Sequence, residues 1–135
     1  MSSVKQVIVI RKDLKMRRGK EIAQAAHASL GVILNEMVES DHSRDVFDYK
    51  RKVLFMDSTL EQWINGPFTK ICLVVNSEQE LLEIYAKAKE AKLRTILITD
   101  NGKTEFNGVP TNTCIAIGPN YAEDIDKITK ELKLY

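Results

Sequence analysis

The sequence of 135 residues has few of the features that mark specialised classes of protein. Its 6 glycines and 3 prolines are too few for a collagen-like or low-complexity chain. Its longest apolar runs span four or five residues, whereas a membrane-spanning helix needs about 20. The first 13 residues hold no long apolar stretch before a small-residue cleavage site, so we expect no secretory signal. These absences and the length predict a single domain, residues 1–135, of a cytoplasmic protein that does not enter a membrane.

Motifs for metal binding and for activated nucleophiles are also absent from the sequence. Cys72 and Cys114 each lie inside an apolar run, and neither a CxxC pair nor an HExxH pattern accompanies His27 and His42. Both cysteines are therefore expected to be small buried side chains. There is no GxGxxG, no GxSxG and no Walker A loop, since Leu14 stands where that loop has its first glycine. We expect a site of lysine, carboxylate, amide and hydroxyl groups, with no metal and no cofactor.

The net charge of +1 is unevenly distributed along the chain. Residues 11–20, RKDLKMRRGK, hold six basic residues and one acidic residue, so this segment carries +5 and the rest of the chain −4. A concentrated basic patch on a slightly acidic protein fits a phosphate-rich partner such as a nucleic acid. A solvated surface loop would have the same composition, and charge alone does not decide between the two.

Strand and helix patterns alternate along the chain. Short runs rich in β-branched residues predict strands that are covered on both faces, and apolar spacings of three and four predict helices. The strands are expected at residues 6–10, 70–75, 95–99 and 113–117, and the helices at 19–37, 59–65, 78–91 and 121–132. Residues 39–52 are polar and fit either a helix extension or a mobile loop. The alternation predicts a single-domain, three-layer α/β fold with helices on both faces of one sheet.

Capping residues indicate where three of the helices begin. Ser77 with Glu80, and Ser58 with Glu61, match the Ser-x-x-Glu capping box. Asn120 precedes the last helix and is expected to be its N-cap.

The start of the first helix is the first candidate for a functional site. Lys20 would lie at the helix N-terminus, where free N–H groups and the helix dipole favour an anion. Lys20, Gln24 and His27 are spaced i, i+4 and i+7 and therefore share one side of the helix. Three polar side chains among alanine and isoleucine favour the edge of a site, although a single helical histidine is often only structural.

The turn after the third predicted strand is the second candidate. Asp100 falls at the carboxyl end of that strand, directly before Asn101 and Gly102. Open α/β sheets bind ligands beyond the carboxyl ends of their strands, so this carboxylate is well placed for chemistry. The same residues could simply form the turn. Thr111 and Thr113, at the start of the fourth strand, are by themselves ordinary strand residues.

Several of these segments together resemble the type-II peptidyl-tRNA hydrolases. The segment KQVIVIRKDLKMRRGKEIAQAAHAS is similar to the opening of that family, in which a strand and a basic Gly-Lys loop precede a helix with Gln-x-x-His-Ala. Residues 100–104 resemble its Asp-Ala-Gly-x-Thr motif, residues 111–119 its Thr-x-Thr strand ending in Gly-Pro, and residues 126–134 its closing helix and tail. The sequence departs from the pattern at Asn101, in a segment 105–110 about one residue longer than usual, and over residues 38–63, which have no counterpart.

The resemblance implies a fold, an activity and a set of site residues. It implies a mixed four-stranded sheet flanked by helices, and hydrolysis of the ester between a peptide and the 3′ ribose of tRNA, which recycles the tRNA. Family members can form dimers, so a homodimer is compatible with it. The positions that match catalytic ones are Lys20, Asp100, Thr104 and Thr113, while Gln24 and His27 match the helix motif and are expected to contact substrate or tRNA.

A mechanism follows as a hypothesis. Asp100 would orient and partly deprotonate the attacking water, directly or through Thr104, and Lys20 would stabilise the oxyanion or hold the terminal phosphate, with Thr113 completing the hydrogen bonds. The roles of Lys20 and Asp100 could be partly exchanged. The basic residues expected to contact the tRNA backbone are Arg11, Lys12, Lys15, Arg17 and Arg18.

Two other functions remain open at this point. The altered Asp-Asn-Gly turn would also suit a catalytically silent module of the same fold that binds tRNA or the ribosome. A hydrolase of a different small ester or amide would not bind RNA, and its basic segment would then be incidental.

Overall fold

The computed structural model describes residues 3–42 and 49–135, which form an α/β fold. Its elements in chain order are β1 (Val4–Arg11), α1 (Arg18–Leu34), β2 (Val38–His42), β3 (Tyr49–Val53), α2 (Ser58–Asn65), β4 (Lys70–Val75), α3 (Glu78–Glu90), β5 (Thr95–Asp100), β6 (Thr111–Tyr121), α4 (Ala122–Thr129) and β7 (Lys133–Leu134).

The main sheet has the strand order β5-β6-β1-β4-β7. Strands β1 and β4 are parallel, and β6 runs antiparallel to both of its neighbours, β1 and β5. The carboxyl ends of β5, β1 and β4 therefore meet the start of β6 at one edge of the sheet. The mixed sheet is confirmed, with β7 as a fifth strand that the sequence did not predict, because a two-residue strand is too short to give a pattern.

Helices cover both faces of this sheet, as predicted. On one face α3 and α4 pack on a core that includes Val9, Leu81, Ile117 and Ile125. On the other face α1 and α2 enclose a second core, which includes Ile8, Val32, Trp63 and Ala116. The alternation of buried side chains to the two sides of β1 and β6 explains why these strands are apolar throughout.

The segment after α1 differs from the prediction. In place of a helix extension or a loop, β2 and β3 form an antiparallel two-stranded sheet, although residues 43–48 of the predicted segment lie outside the described residues. Glu39 is paired with Lys52 across the two strands, and Arg51 donates a hydrogen bond to Ser40 (Nη2–Oγ, 3.3 Å). Such cross-strand pairs stabilise a hairpin but join residues that are distant in sequence, so local periodicity does not reveal them.

The predicted caps are partly correct. The Ser77 hydroxyl accepts the Glu80 N–H (3.0 Å) and caps α3 as expected. At α2 the cap is Asp57 and not Ser58: its Oδ1 accepts the Leu60 N–H (3.0 Å). Asn120 does not cap α4, because β6 continues to Tyr121 and the Asn120 side chain instead accepts the Arg94 N–H (3.0 Å).

The two cysteines lie in different surroundings. Cys114 is fully buried, as predicted, and its thiol contacts the carbonyl of Gln24 (3.4 Å). Cys72 is exposed, which contradicts the prediction. It lies on β4, whereas α1 and α2 pack on β1 and β6.

None of the helices in residues 3–42 and 49–135 has the length and hydropathy to cross a membrane.

Candidate active site

The edge of the sheet where β5 ends brings the two candidate sites together. Lys20 lies in the first turn of α1, and Asp100 is the last residue of β5. The Lys20 ammonium donates a hydrogen bond to Asp100 (Nζ–Oδ1, 2.8 Å) and another to Thr104 (Nζ–Oγ1, 2.9 Å). The side chains of Lys20 and Asp100 are only 15% and 10% exposed, so the pair is held in a largely desolvated position. Residues 80 positions apart in sequence thus form one polar cluster.

Asp100 is held as a carboxylate by donors on three sides. The Lys20 ammonium is the largest of the causes that lower the pKa of Asp100, and burial partly opposes it. The Gly102 N–H donates to its second oxygen (Oδ2, 2.9 Å), and the Gln24 amide donates to Oδ1 (3.3 Å). A carboxylate fixed in this way is a good acceptor for orienting a water molecule, while its lowered pKa makes it a weak base.

Thr113 acts on this cluster through Gln24 and not by direct contact with Asp100. The Thr113 hydroxyl is fully buried and donates to Gln24 (Oγ1–Oε1, 2.6 Å). The Gln24 side chain thereby connects β6 to the carboxylate at the end of β5. Gln24 is only 3% exposed, so its amide lies inside this hydrogen-bond network, and its contact with substrate or tRNA stays a prediction.

The loop between β5 and β6, residues 101–110, places Thr104 next to Lys20. Gly102 has a φ of 81°, and a Cβ there would lie 2.2 Å from the Val109 carbonyl oxygen, so only glycine fits this turn. Asn101, where the sequence departs from the family motif, is exposed, and its side chain accepts the Lys103 N–H (3.0 Å). The substitution therefore supports the turn and leaves Asp100 in place.

Two neighbours of Lys20 in this loop were not predicted from the sequence. The Phe106 ring centroid lies 5.8 Å from the Lys20 ammonium, and Glu105 accepts a hydrogen bond from Arg17 (Nε–Oε1, 2.7 Å). Arg17 is the main cause of a lowered pKa at Glu105. Neither Glu105 nor Phe106 belongs to a recognisable motif, so only the fold of the loop could have revealed them.

The basic segment lies beside this cluster, with one exception. Lys12, Lys15 and Arg18 are exposed, and the Arg17 side chain is 81% exposed despite its pairing with Glu105. Arg11 is different, because it is only 8% exposed and donates to Asp13 (Nη2–Oδ2, 2.7 Å) and to a backbone carbonyl of β6. The expectation that Arg11 contacts tRNA is therefore wrong: its guanidinium is used inside the fold.

His27 is exposed on α1, two turns beyond Lys20, and the described part of the chain gives its ring no hydrogen bond or ion pair. The structure does not bring it into contact with Asp100. Within residues 3–42 and 49–135, no three histidine, cysteine, aspartate or glutamate side chains are grouped so that they could hold a metal ion.

Comparison with known proteins agrees with the motifs. The chain matches the family model described as peptidyl-tRNA hydrolase PTH2 over residues 4–135. It is 40% identical over 131 residues to the peptidyl-tRNA hydrolase of Methanothermobacter thermautotrophicus, covering 97% of this chain and 99% of that protein. It is also 40% identical to the peptidyl-tRNA hydrolase of Sulfolobus acidocaldarius, with the same coverage of 97% and 99%. The probable peptidyl-tRNA hydrolase 2 of Dictyostelium discoideum is 41% identical and extends beyond the match, which covers 97% of this chain but 54% of that protein.

Proposed function

The chain belongs to the peptidyl-tRNA hydrolase PTH2 family, and from this we propose that it hydrolyses the ester between a peptide and the 3′ ribose of tRNA at the Lys20–Asp100 cluster. The observation that carries the proposal is the desolvated ammonium–carboxylate pair, 2.8 Å apart, at the same edge of the sheet as the exposed basic residues. The pair offers an acceptor for water and a cation for the developing oxyanion. Release of free tRNA from a peptidyl-tRNA, in the compartment where translation takes place, is the role that this reaction would serve.

The reaction needs a positioned water and a counter-charge. We assign Asp100 to hold the water by accepting one of its hydrogens, while the water oxygen bonds to the ester carbonyl carbon. Lys20 donates two of its N–H groups to Asp100 and Thr104, and the third is left for the carbonyl oxygen as it becomes negative. The bond from carbon to the 3′ oxygen then breaks, and the water proton moves to that oxygen, directly or through the Thr104 hydroxyl.

The rate enhancements expected from these groups are adequate for hydrolysis of an activated ester. Positioned acid–base help contributes about 10²–10⁴ in rate and one oxyanion donor about 10²–10³. Because its pKa is lowered, Asp100 contributes more by orienting the water than by removing its proton completely. Gln24 and Thr113 act as positioning residues. Gln24 contacts the Asp100 carboxylate, Thr113 contacts the Gln24 amide, and neither is assigned a contact with the ester.

The tRNA would lie across the exposed basic residues Lys12, Lys15, Arg17 and Arg18. These exposed cations can neutralise backbone phosphates, so binding should follow the shape and charge of the RNA backbone and should weaken strongly with salt. We assign the exposed His27 to the rim of the site. The contacts of Lys20 with Asp100 and Thr104 form within one chain, and a homodimer stays a prediction.

The test is cleavage of N-acetylated aminoacyl-tRNA by the purified chain in the presence of EDTA, with tRNA binding measured in parallel. We expect release of free tRNA, and in the Lys20→Ala variant a loss of at least about 10² in turnover with tRNA binding retained. The variant also controls for a contaminating hydrolase. Binding of tRNA without cleavage by the unmodified chain would instead favour the silent module, and ester cleavage without tRNA binding would favour a hydrolase of small substrates.

A further inference from the structure

Helix α1 has an uncharged outer face next to the candidate active site. Between residues 22 and 34 it contains no aspartate, glutamate, lysine or arginine. This is not because the helix is buried, since Ile22, Leu30 and Leu34 are 63%, 57% and 42% exposed and Ala23 and Ala26 are also exposed. The solvent side of a surface helix is normally polar or charged, so a contiguous apolar face of this kind marks a binding surface.

The face begins directly after Lys20. Ala23, His27, Leu30 and Leu34 follow Lys20 at i+3, i+7, i+10 and i+14, which places them in one row along the helix. All four are exposed. Leu30 lies ten residues beyond Lys20, or about 15 Å at the helical rise of 1.5 Å per residue.

An apolar groove continues this face on the α2 side of the helix. Its volume is about 590 Å³, which lies in the range of about 300–1,000 Å³ typical of ligand pockets. Ala26, Leu30 and Ile33 form one wall, and Trp63 and Phe68 form the opposite wall.

Among the described residues that line the groove, one side chain is charged. The Lys70 ammonium lies 3.2 Å from the centroid of the Phe68 ring, and burial lowers its pKa. This cation is stacked on an aromatic face, and none of the described residues that line the groove is acidic.

The substrate of the proposed reaction has two chemically different halves, and the surface around Lys20 is divided in the same way. The tRNA is a polyanion and fits the basic residues before Lys20, which carry the concentrated positive charge of residues 11–20. The peptide half varies in its side chains and has none of the regularly spaced phosphates of the RNA, so a surface that accepts many peptides should carry little charge. We propose that the uncharged outer face of α1 and the adjoining groove bind the peptide half of peptidyl-tRNA, an inference that rests on the proposed function.

The dimensions define which peptides reach the groove. An extended peptide advances about 3.3 Å per residue, so about five residues separate an ester at Lys20 from a side chain at Leu30. A single acyl residue would contact Lys20 and its neighbours only, whereas a peptide of six residues would reach Leu30 and Ala26. Affinity for the longer peptide should therefore depend on side chains that the shorter substrate does not touch.

The experiment compares three substrates. One tRNA carries a single N-acetylated residue, the second carries a six-residue apolar peptide, and the third carries a six-residue acidic peptide. We take the ratio of kcat/KM for each peptide to that for the single residue. Ala26→Asp should lower the ratio for the acidic peptide by about tenfold and Ala26→Lys should raise it, because neighbouring like charges at a protein surface repel and opposite charges attract. Leu30→Asp should lower the ratio for the apolar peptide by about tenfold, because it replaces apolar surface that the peptide would bury with a charge.

The matched controls are Ala86→Asp and Ala86→Lys, which make the same changes at an exposed alanine of α3, on the opposite face of the sheet. They should leave all ratios unchanged. Equal ratios in the Ala26, Leu30 and Ala86 variants, with normal cleavage by the unmodified chain, would overturn the peptide site alone. Failure of the unmodified chain to cleave any of the three substrates would overturn the proposed function itself.

Measurement of oligomeric state completes the test. If the unmodified chain is a dimer that Leu30→Asp converts to a monomer, with all three substrates affected equally, the face is an interface between two copies and the proposal is wrong. A variant that keeps the oligomeric state of the unmodified chain and changes only the ratios for peptide substrates supports it.

Discussion

Strand β5 has an ion-pair cluster at each end, and the two clusters differ in what surrounds them. Arg94, just before the strand, pairs with Asp57 (Nη2–Oδ2, 2.8 Å) and Glu36 (Nε–Oε1, 3.1 Å), and donates to Thr59 (Nη1–Oγ1, 3.0 Å) and to the Pro119 carbonyl oxygen (Nη1–O, 2.9 Å). Its acceptors belong to the N-terminus of α2 and the end of β6, so this cluster connects these two elements to the start of β5.

At the other end of the strand, the Lys20–Asp100 pair has fewer protein partners and different neighbours. One side of the pair meets exposed basic residues, and the other meets the uncharged outer face of α1.

The two carboxylates, Asp57 and Asp100, both have a lowered pKa, and the causes are similar. Burial alone would raise the pKa of Asp57, but hydrogen bonds from the Leu60 N–H, Arg94 and Thr59 lower it to about 2. The lowered pKa of Asp100 is likewise caused by a cation and N–H donors. A perturbed carboxylate therefore does not identify an active site by itself, and its surroundings decide its role.

The largest expected difference between the two ends is in turnover. Asp100→Asn removes the charge that orients water and pairs with Lys20, so kcat/KM for peptidyl-tRNA should fall by about 10²–10³. Asp57→Asn makes the same chemical change in the Arg94–Asp57 cluster and should keep turnover near that of the unmodified chain. Steady-state cleavage of N-acetylated aminoacyl-tRNA, with circular dichroism to verify folding, measures both. Equal losses in the two variants would remove the distinction between the clusters.

The next effect should appear in stability and not in catalysis. Arg94→Met retains the apolar stem of the side chain but removes the guanidinium, so that Asp57 Oδ2, Glu36 and the Pro119 carbonyl oxygen lose this donor. Because Asp57 and Glu36 are 59% and 41% exposed and regain water, the free energy of unfolding should fall by about 2 kcal/mol, less than for a fully buried pair. Urea denaturation measures this change. Lys20→Met is the matched control and should lose less stability but much more activity; the reverse pattern would contradict the assignment.

The smallest expected effect concerns the exposed charge beside Asp100. The double substitution Arg17→Ala/Arg18→Ala should weaken tRNA binding and lower the slope of log Kd against log salt by about 0.7–0.9 for each phosphate that is no longer neutralised. Lys87→Ala/Lys89→Ala removes the same charge from α3 and should leave the slope unchanged. Filter binding over a salt series measures both slopes. An unchanged slope in the arginine variant would exclude these residues from the tRNA-binding surface.

Much of the fold could be predicted from the sequence because its signals are local. Strand β4 begins and ends where the apolar run at residues 70–75 does, and the Ser77 cap is set by a residue three positions away. The hairpin of β2 and β3 and the short strand β7 were missed because they depend on pairing between distant residues. The same reason explains why Asn120 was wrongly predicted as an N-cap: its side chain accepts the Arg94 N–H and does not cap the helix that follows it.

The order of residues alone establishes the chemistry that is available: a lysine at a helix start, an aspartate before a glycine turn, a concentrated basic segment and an uncharged stretch of helix. Which of these groups meet depends on how the chain folds. Folding joins Lys20 to Asp100, turns Gln24 inward to Thr113, and commits Arg11 to the interior. The physical reason is that hydrogen bonds and ion pairs depend on distances of about 3 Å, and the packing of α1 on the sheet sets these distances between residues far apart in the chain.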